Sequence, residues 1–189
     1  MRKVIMLNRI SIDGFYSGPN GEIDWFIHEA EVDKAAHEVM TADTLLMGRL
    51  TYQMFEGYWP QVLKDPNASL EALTTANELK EMTKVVFSTT LNEVTWENSE
   101  LFNTDVATEI GKLKQGNGAD ITIFGSGSIV QQLEDNGLID EYLLVITPVI
   151  LGAGKPLFKD VSHTSLDLLA VRNFNSGNIL LHYRRKDEI

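Results

Sequence analysis

No cysteine occurs anywhere in the 189 residues. That removes a disulfide framework, a thiolate zinc site, an iron–sulfur cluster and a cysteine nucleophile, and it fits a reducing cytoplasm. Cations are scarce too, with 16 Lys and Arg against 27 Asp and Glu, a formal net charge of −11. Such a field repels nucleic acid and anionic membrane surfaces. It also repels a phosphate-bearing cofactor, which would need a local cluster of donors to bind. Long apolar runs are missing, since no segment nears the roughly 20 residues that cross a bilayer. Met1-Arg2-Lys3-Val4-Ile5-Met6-Leu7 opens like a signal peptide, but the apolar stretch stops at Asn8-Arg9, too short for an h-region. It reads as a first buried strand. The four histidines, His28, His37, His163 and His182, show no metal-ligand spacing. A Walker A loop and a Gly-x-Ser-x-Gly elbow are also lacking.

What remains is enough to build a core. Hydrophobic residues make up 43% of the chain, and it contains no repeat, low-complexity tract or long linker, so residues 1–189 read as one domain. From Glu29 onward Val32, Ala35, Ala36, Val39 and Met40 follow helical spacing. Thr44–Met47 reads as a short buried strand ended by Gly48, with a helix from about Leu50 that stops before Gly57. Residues 59–67 read as loop. Ser69 caps a helix bearing Leu70, Leu73, Ala76 and Leu79. Lys84–Phe87 is a strand, Thr104 caps the next helix, and Ile121–Phe124 is a strand entering a helix that ends at Gly137. Tyr142–Ile150 is a long apolar strand. Residues 166–174 and 178–185 form a hairpin around Asn175-Ser176-Gly177. Alternating strand and helix followed by antiparallel strands implies an α/β fold with a mainly parallel sheet.

Three turns stand out chemically, each just after a strand expected to be parallel, the edge where open α/β sheets bind ligands. Gly48-Arg49-Leu50-Thr51 offers a helix N-terminus, a guanidinium fork and a hydroxyl, a set suited to phosphate. Gly125-Ser126-Gly127-Ser128 lets a ligand approach the backbone closely. Ser88-Thr89-Thr90 adds small hydroxyl donors. Each turn taken alone also reads as an ordinary strand–helix connection or turn. Their agreement is what carries weight.

The segment Asp43-Thr44-Leu45-Leu46-Met47-Gly48-Arg49-Leu50-Thr51-Tyr52 resembles the Met-Gly-Arg-x-Thr segment of dihydrofolate reductases. Ile123-Phe124-Gly125-Ser126-Gly127 is similar to their Gly-Gly turn. Ser11-Ile12-Asp13-Gly14-Phe15 and Thr147-Pro148-Val149-Ile150-Leu151-Gly152-Ala153-Gly154 resemble the reductase domain of the bifunctional riboflavin-biosynthesis deaminase–reductase. The resemblance spans nearly the whole chain, with the elements in order. It implies a three-layer dihydrofolate-reductase-like fold, helices on both sheet faces and a homodimer. It also implies NADPH as cofactor, with Arg49, Ser88 and Thr89 at the adenosine 2′-phosphate. Gly48, Thr51, Gly125, Ser126, Gly127 and Ser128 would then lie along the pyrophosphate and nicotinamide. The loop from Asp13 to Trp25 would cover a small heterocyclic substrate, with Asp13, Trp25 and Glu29 as substrate contacts and Asp13 as the catalytic candidate.

The chain departs from the dihydrofolate reductase pattern at two places. Glu29 and Glu31 straddle the expected acidic position after Trp25, and Ser128-Ile129 stand where a basic residue often follows the Gly-Gly turn. An aminopyrimidine ribose phosphate or a pterin-like ring is the expected substrate. The competing expectation is a non-catalytic, dinucleotide-binding or scaffolding dimer of the same fold. The apolar stretch Tyr142–Leu151 is the expected cover for a second copy.

Overall fold

The computed structural model describes residues 1–186. In chain order the elements are β1 (Val4–Ser11), β2 (Phe15–Ser17), α1 (Ala30–His37), β3 (Ala42–Gly48), α2 (Arg49–Val62), α3 (Leu70–Glu81), β4 (Thr83–Phe87) and β5 (Ser99–Phe102). They continue with α4 (Val106–Gln115), β6 (Asp120–Phe124), α5 (Gly127–Asp135), β7 (Glu141–Thr147), β8 (Lys155–Pro156), β9 (Leu166–Asn173) and β10 (Ile179–Arg185). Eight strands form one sheet in the order β5-β4-β3-β6-β1-β7-β10-β9. Every pairing from β5 to β7 is parallel, and β10 and β9 close the far edge antiparallel. This is the mixed α/β sheet that the sequence pattern implies. No helix among the described residues is long and apolar enough to cross a membrane.

Alternation along the strands divides the core into two layers. Val4, Met6, Leu46, Val85, Ile121, Ile123, Tyr142 and Leu144 meet Val106 and Ile110 of α4 and Ile129, Val130 and Leu133 of α5. On the opposite face Ile5, Leu143, Val145 and Leu180 pack under Val32 and Ala35 of α1. Leu45, Met47 and Val86 pack under Tyr52 of α2 and Leu79 of α3. The chain therefore forms helix, sheet and helix layers.

Several local expectations are corrected. Helix α2 does not stop before Gly57 but runs through Gly57 and Pro60 to Val62. Tyr52, Phe55 and Trp59 recur along the side of α2 that packs on the core. Burying aromatic side chains, at about 1.5–3 kcal/mol each, outweighs the roughly 1 kcal/mol for Gly and 3 kcal/mol for Pro inside a helix. The cap of α4 is Asp105 rather than Thr104, because the Asp105 carboxylate accepts the N–H of Thr108. Strand β7 ends at Thr147, before Pro148. It lies between β1 and β10, so Tyr142, Leu143 and Val145 are interior. Its strand part is therefore core rather than a cover for a second copy, and within the stretch the exposed large apolar residue is Ile150, at 71%. The exposed apolar strand is β9, where Leu168, Leu169 and Val171 face solvent at the sheet edge. Edge strand β5 and the small β2–β8 ribbon carry no clear period in the sequence.

Parallel pairing places the carboxyl ends of β4, β3, β6, β1 and β7 along one rim. β6 stops at Phe124, in register with Leu7, while β1 continues beside β7 as far as Ser11. Past Leu7 one edge of β1 is thus open. This leaves a notch in the rim, and the Gly125–Ser126 turn follows directly from the end of β6 beside it.

Candidate active site

The rim draws the three turns together. Gly48 ends β3 in register with Phe87 of β4, and Leu46 is paired with Ile123 of β6. The turns after β4, β3 and β6 are therefore lateral neighbours. Gly125 (φ 60) and Ser126 (φ 51) both adopt the left-handed conformation that swings strand β6 into α5. For Ser126 this geometry costs on the order of 1 kcal/mol. Its side chain offsets the cost by tying two turns: the hydroxyl accepts the Gly48 N–H at 3.0 Å and donates to Thr51 Oγ1 at 2.9 Å. Ser126 is thus the staple between the turns. Thr51 accepts that bond and keeps its own O–H to donate.

The electrostatics of this corner differ from the rest of an acidic chain. Helices α1, α3 and α4 each carry acidic residues in the first turn. The two helices whose starts Ser126 joins, α2 and α5, carry none, and neither has a side-chain N-cap bond, unlike α4, which also begins at this rim after β5. Their N-terminal N–H groups and positive dipole ends are left for an anion. Arg49 is exposed at the start of α2, its guanidinium making one 3.2 Å bond to Gln53 and no ion pair among the described residues. Ser128 is exposed in the first turn of α5. The Ser88 hydroxyl accepts the N–H groups of Thr90 and Leu91 at 3.1 and 3.0 Å, which shapes its turn, and Thr89 is exposed beside it.

Gly127 shows why glycine is needed there. A Cβ on it would stand 2.6 Å from Cζ of Tyr16, whose ring lies against the start of α5. Burial raises the Tyr16 pKa above its ordinary value. Tyr16 belongs to β2, in the loop expected to cover the substrate, and sequence reading missed it. No periodic signal marks a residue whose partner lies more than a hundred positions away.

Of the expected substrate contacts, Asp13 is engaged with backbone. Its carboxylate accepts the N–H groups of Leu151 and Gly152 at 3.1 and 2.8 Å, fastening the first turn of the loop to the segment after β7. Bonding to the Ser11 hydroxyl and to these amides holds its pKa below the ordinary value. Glu29 likewise accepts the Ser176 N–H at 3.1 Å in the β9–β10 turn, and its pKa is lowered by Ser176. Trp25 is half-buried, donates to the Glu22 carbonyl at 3.1 Å and packs edge-on against Phe26. Asp13 and Glu29 anchor opposite ends of the loop and do not converge on one point.

Between α1 and α2 the sheet is incompletely covered. Leu7 and Phe124, adjacent in register, stay partly exposed at the rim, and Phe124 meets Phe55 of α2 with ring centroids 6.4 Å apart. Leu7 and Phe124 therefore leave a small apolar patch on the rim beside the stapled turns. Neither Leu7 nor Phe124 stands out in sequence from other core residues.

Comparison with known proteins bears on the fold and the family. YyaP of Bacillus subtilis, itself uncharacterized, is 35% identical over 184 residues, covering 96% of this chain and 94% of that protein. A Shewanella sp. PV-4 protein provisionally named for riboflavin biosynthesis is similar in structure, with a TM-score of 0.75 and 23% identity over 98% of this chain and 99% of that one. Dihydrofolate reductase from Enterococcus faecalis, solved with NADP(H), shares the fold at a TM-score of 0.63 and 15% identity, covering 98% and 97% of the two chains. The family model of the RibD C-terminal domain matches residues 2–180, and the chain belongs to that family.

Proposed function

We propose that this protein is a cytoplasmic NADPH-dependent reductase that transfers hydride to a small flat heterocycle of the aminopyrimidine or pterin type. The observation that carries the reading is the stapled pair of helix N-termini. The α2 and α5 starts lie side by side on the sheet rim, free of acidic residues, with Arg49 next to them. Membership of a reductase-type family supports the same reading.

The residues fit the cofactor. Free N–H groups of α5 and the Thr51 hydroxyl would hold the pyrophosphate. Arg49 and the Ser88–Thr89 turn would grip the adenosine 2′-phosphate. Bound NADPH supplies the hydride. The chain supplies position and dryness: Tyr16 and the loop it belongs to close over the notch, and Asp13 holds that loop against Gly152. We assign Asp13 a positioning role. The exposed β9 face suits a homodimer, which would also serve a non-catalytic scaffold. Turnover of NADPH with a pyrimidine or pterin substrate separates the two.

Tryptophan fluorescence during titration tests the cofactor assignment. Saturable quenching by NADPH is expected, tighter than by NADH. Arg49→Ala should weaken NADPH by about tenfold while leaving NADH within about twofold, the signature of one lost charge-assisted contact. No saturation at millimolar NADPH would end the proposal.

A further inference from the structure

The sheet face beside the turns carries one cation that the cofactor does not need. Arg9 lies on β1 two residues past Leu7, where pairing with β6 has ended, and is in register with Val145 of β7. Its side chain shares the sheet face of Val145, the face under α1, and so lies on the same face as Leu7, two positions further along β1. The side chain is 12% exposed. One guanidinium nitrogen pairs with Asp33 of α1 at 2.5 Å. Another donates to the Ile27 carbonyl at 3.3 Å, and the Phe26 ring centroid is 5.9 Å from Cζ.

The two partners of this ion pair are unequal. Asp33 is 64% exposed and can turn into water without loss. Arg9 cannot leave. A buried guanidinium is costly unless paired, and it has five N–H donors, of which few are used here. An incoming anion can therefore take the place of Asp33 without stranding the charge. In a chain of net charge −11, such a cation beside the apolar Leu7–Phe124 patch is a selective feature.

We propose that Arg9 is a specificity-determining residue of the substrate site. The substrate it selects is a flat ring bearing an anionic group, a carboxylate in the simplest case, which displaces Asp33 from the guanidinium. This rests on the reductase reading and specifies its substrate chemistry. The apolar patch of Leu7 and Phe124 accepts the ring face, and Arg9 fixes which edge points inward.

The probes are pterin-6-carboxylate and uncharged pterin, titrated by their own fluorescence against protein saturated with NADP+, so that no hydride moves. Wild type should prefer the carboxylate by about tenfold or more, less at high salt. Arg9→Met should abolish the preference, Arg9→Lys should retain part of it, and Asp33→Asn should increase it. NADP+ affinity should stay constant throughout, which reports an intact fold. Equal or absent binding of the two probes by wild type overturns the proposal, as does an unchanged preference in Arg9→Met. Failure of NADP+ itself to bind would strike the cofactor reading instead, so the two failures are distinguishable.

Discussion

The two halves of the rim are built in opposite ways. On the cofactor side the turns are local objects, two of them a buried strand, a glycine and a helix start within a few residues. One serine then joins two of them. On the substrate side almost nothing is local. Asp13 reaches Leu151 and Gly152, Glu29 reaches Ser176, and Asn178 reaches the Ile27 carbonyl at 3.0 Å. Local turns are inherited with the fold. A loop held by distant contacts can change its ligand without disturbing the sheet. The comparison teaches that cofactor use should be robust in this architecture and substrate choice adjustable.

The comparison breaks most severely where the halves touch, at Gly127 and Tyr16. Gly127→Val places side-chain atoms inside the space of the Tyr16 ring, and overpacking of this kind costs about 1–3 kcal/mol. NADPH affinity should fall by about tenfold or more, since 1.4 kcal/mol is one decade. Adding Tyr16→Ala should restore most of the loss, because the clash is pairwise. Failure of the second substitution to rescue binding would show that the turn, not the ring, sets the requirement for glycine.

A cut confined to the substrate side should act on one half alone. Asp13→Ala removes the acceptor for the Leu151 and Gly152 N–H groups, and both groups can turn to water. The loop loses its anchor but the stapled turns do not. Steady-state kinetics should show KM for the heterocycle rising by about fivefold with NADPH affinity within about twofold. A proportional loss of kcat at unchanged KM would instead assign Asp13 a part in the chemical step.

Legibility in the sequence followed the same division. The glycine turns and Arg49 could be read because φ requirements and helix-start chemistry are written in adjacent residues. Their convergence on one rim follows from parallel pairing. Arg9, Tyr16, Leu7 and Phe124 could not be read as a site. In sequence they are ordinary members of two strands and a loop, and only the early stop of β6 at Phe124 leaves them beside an opening. The sequence pattern ends helix α2 early because Gly57 and Pro60 are local stop signals, whereas the aromatic side chains that override them gain their burial only in the tertiary core. Asp105 prevailed over Thr104 by a one-residue shift that periodicity does not resolve.

A change remote from both halves should leave both ligands alone, and Lys84 provides it. This lysine is fully buried in β4, donating to the carbonyls of Lys80 and Glu97 at 2.7 and 2.9 Å, with Nζ 4.5 Å from the centroid of the Trp96 ring. Burial lowers its pKa from 10.5 to about 8. The sign follows from proton counts. Below about pH 8 both folded and unfolded chains hold the proton, and above 10.5 neither does. Between those values the unfolded chain holds more protons, so this group makes stability rise with pH across that window. Lys84→Met should flatten the rise in chemical denaturation measured from pH 7.5 to 10.5, relative to wild type. It should leave NADPH and substrate affinity within about twofold. A slope unchanged by Lys84→Met would mean that the lysine stays protonated in its carbonyl cage, with the two backbone acceptors and the Trp96 face compensating for the lost water.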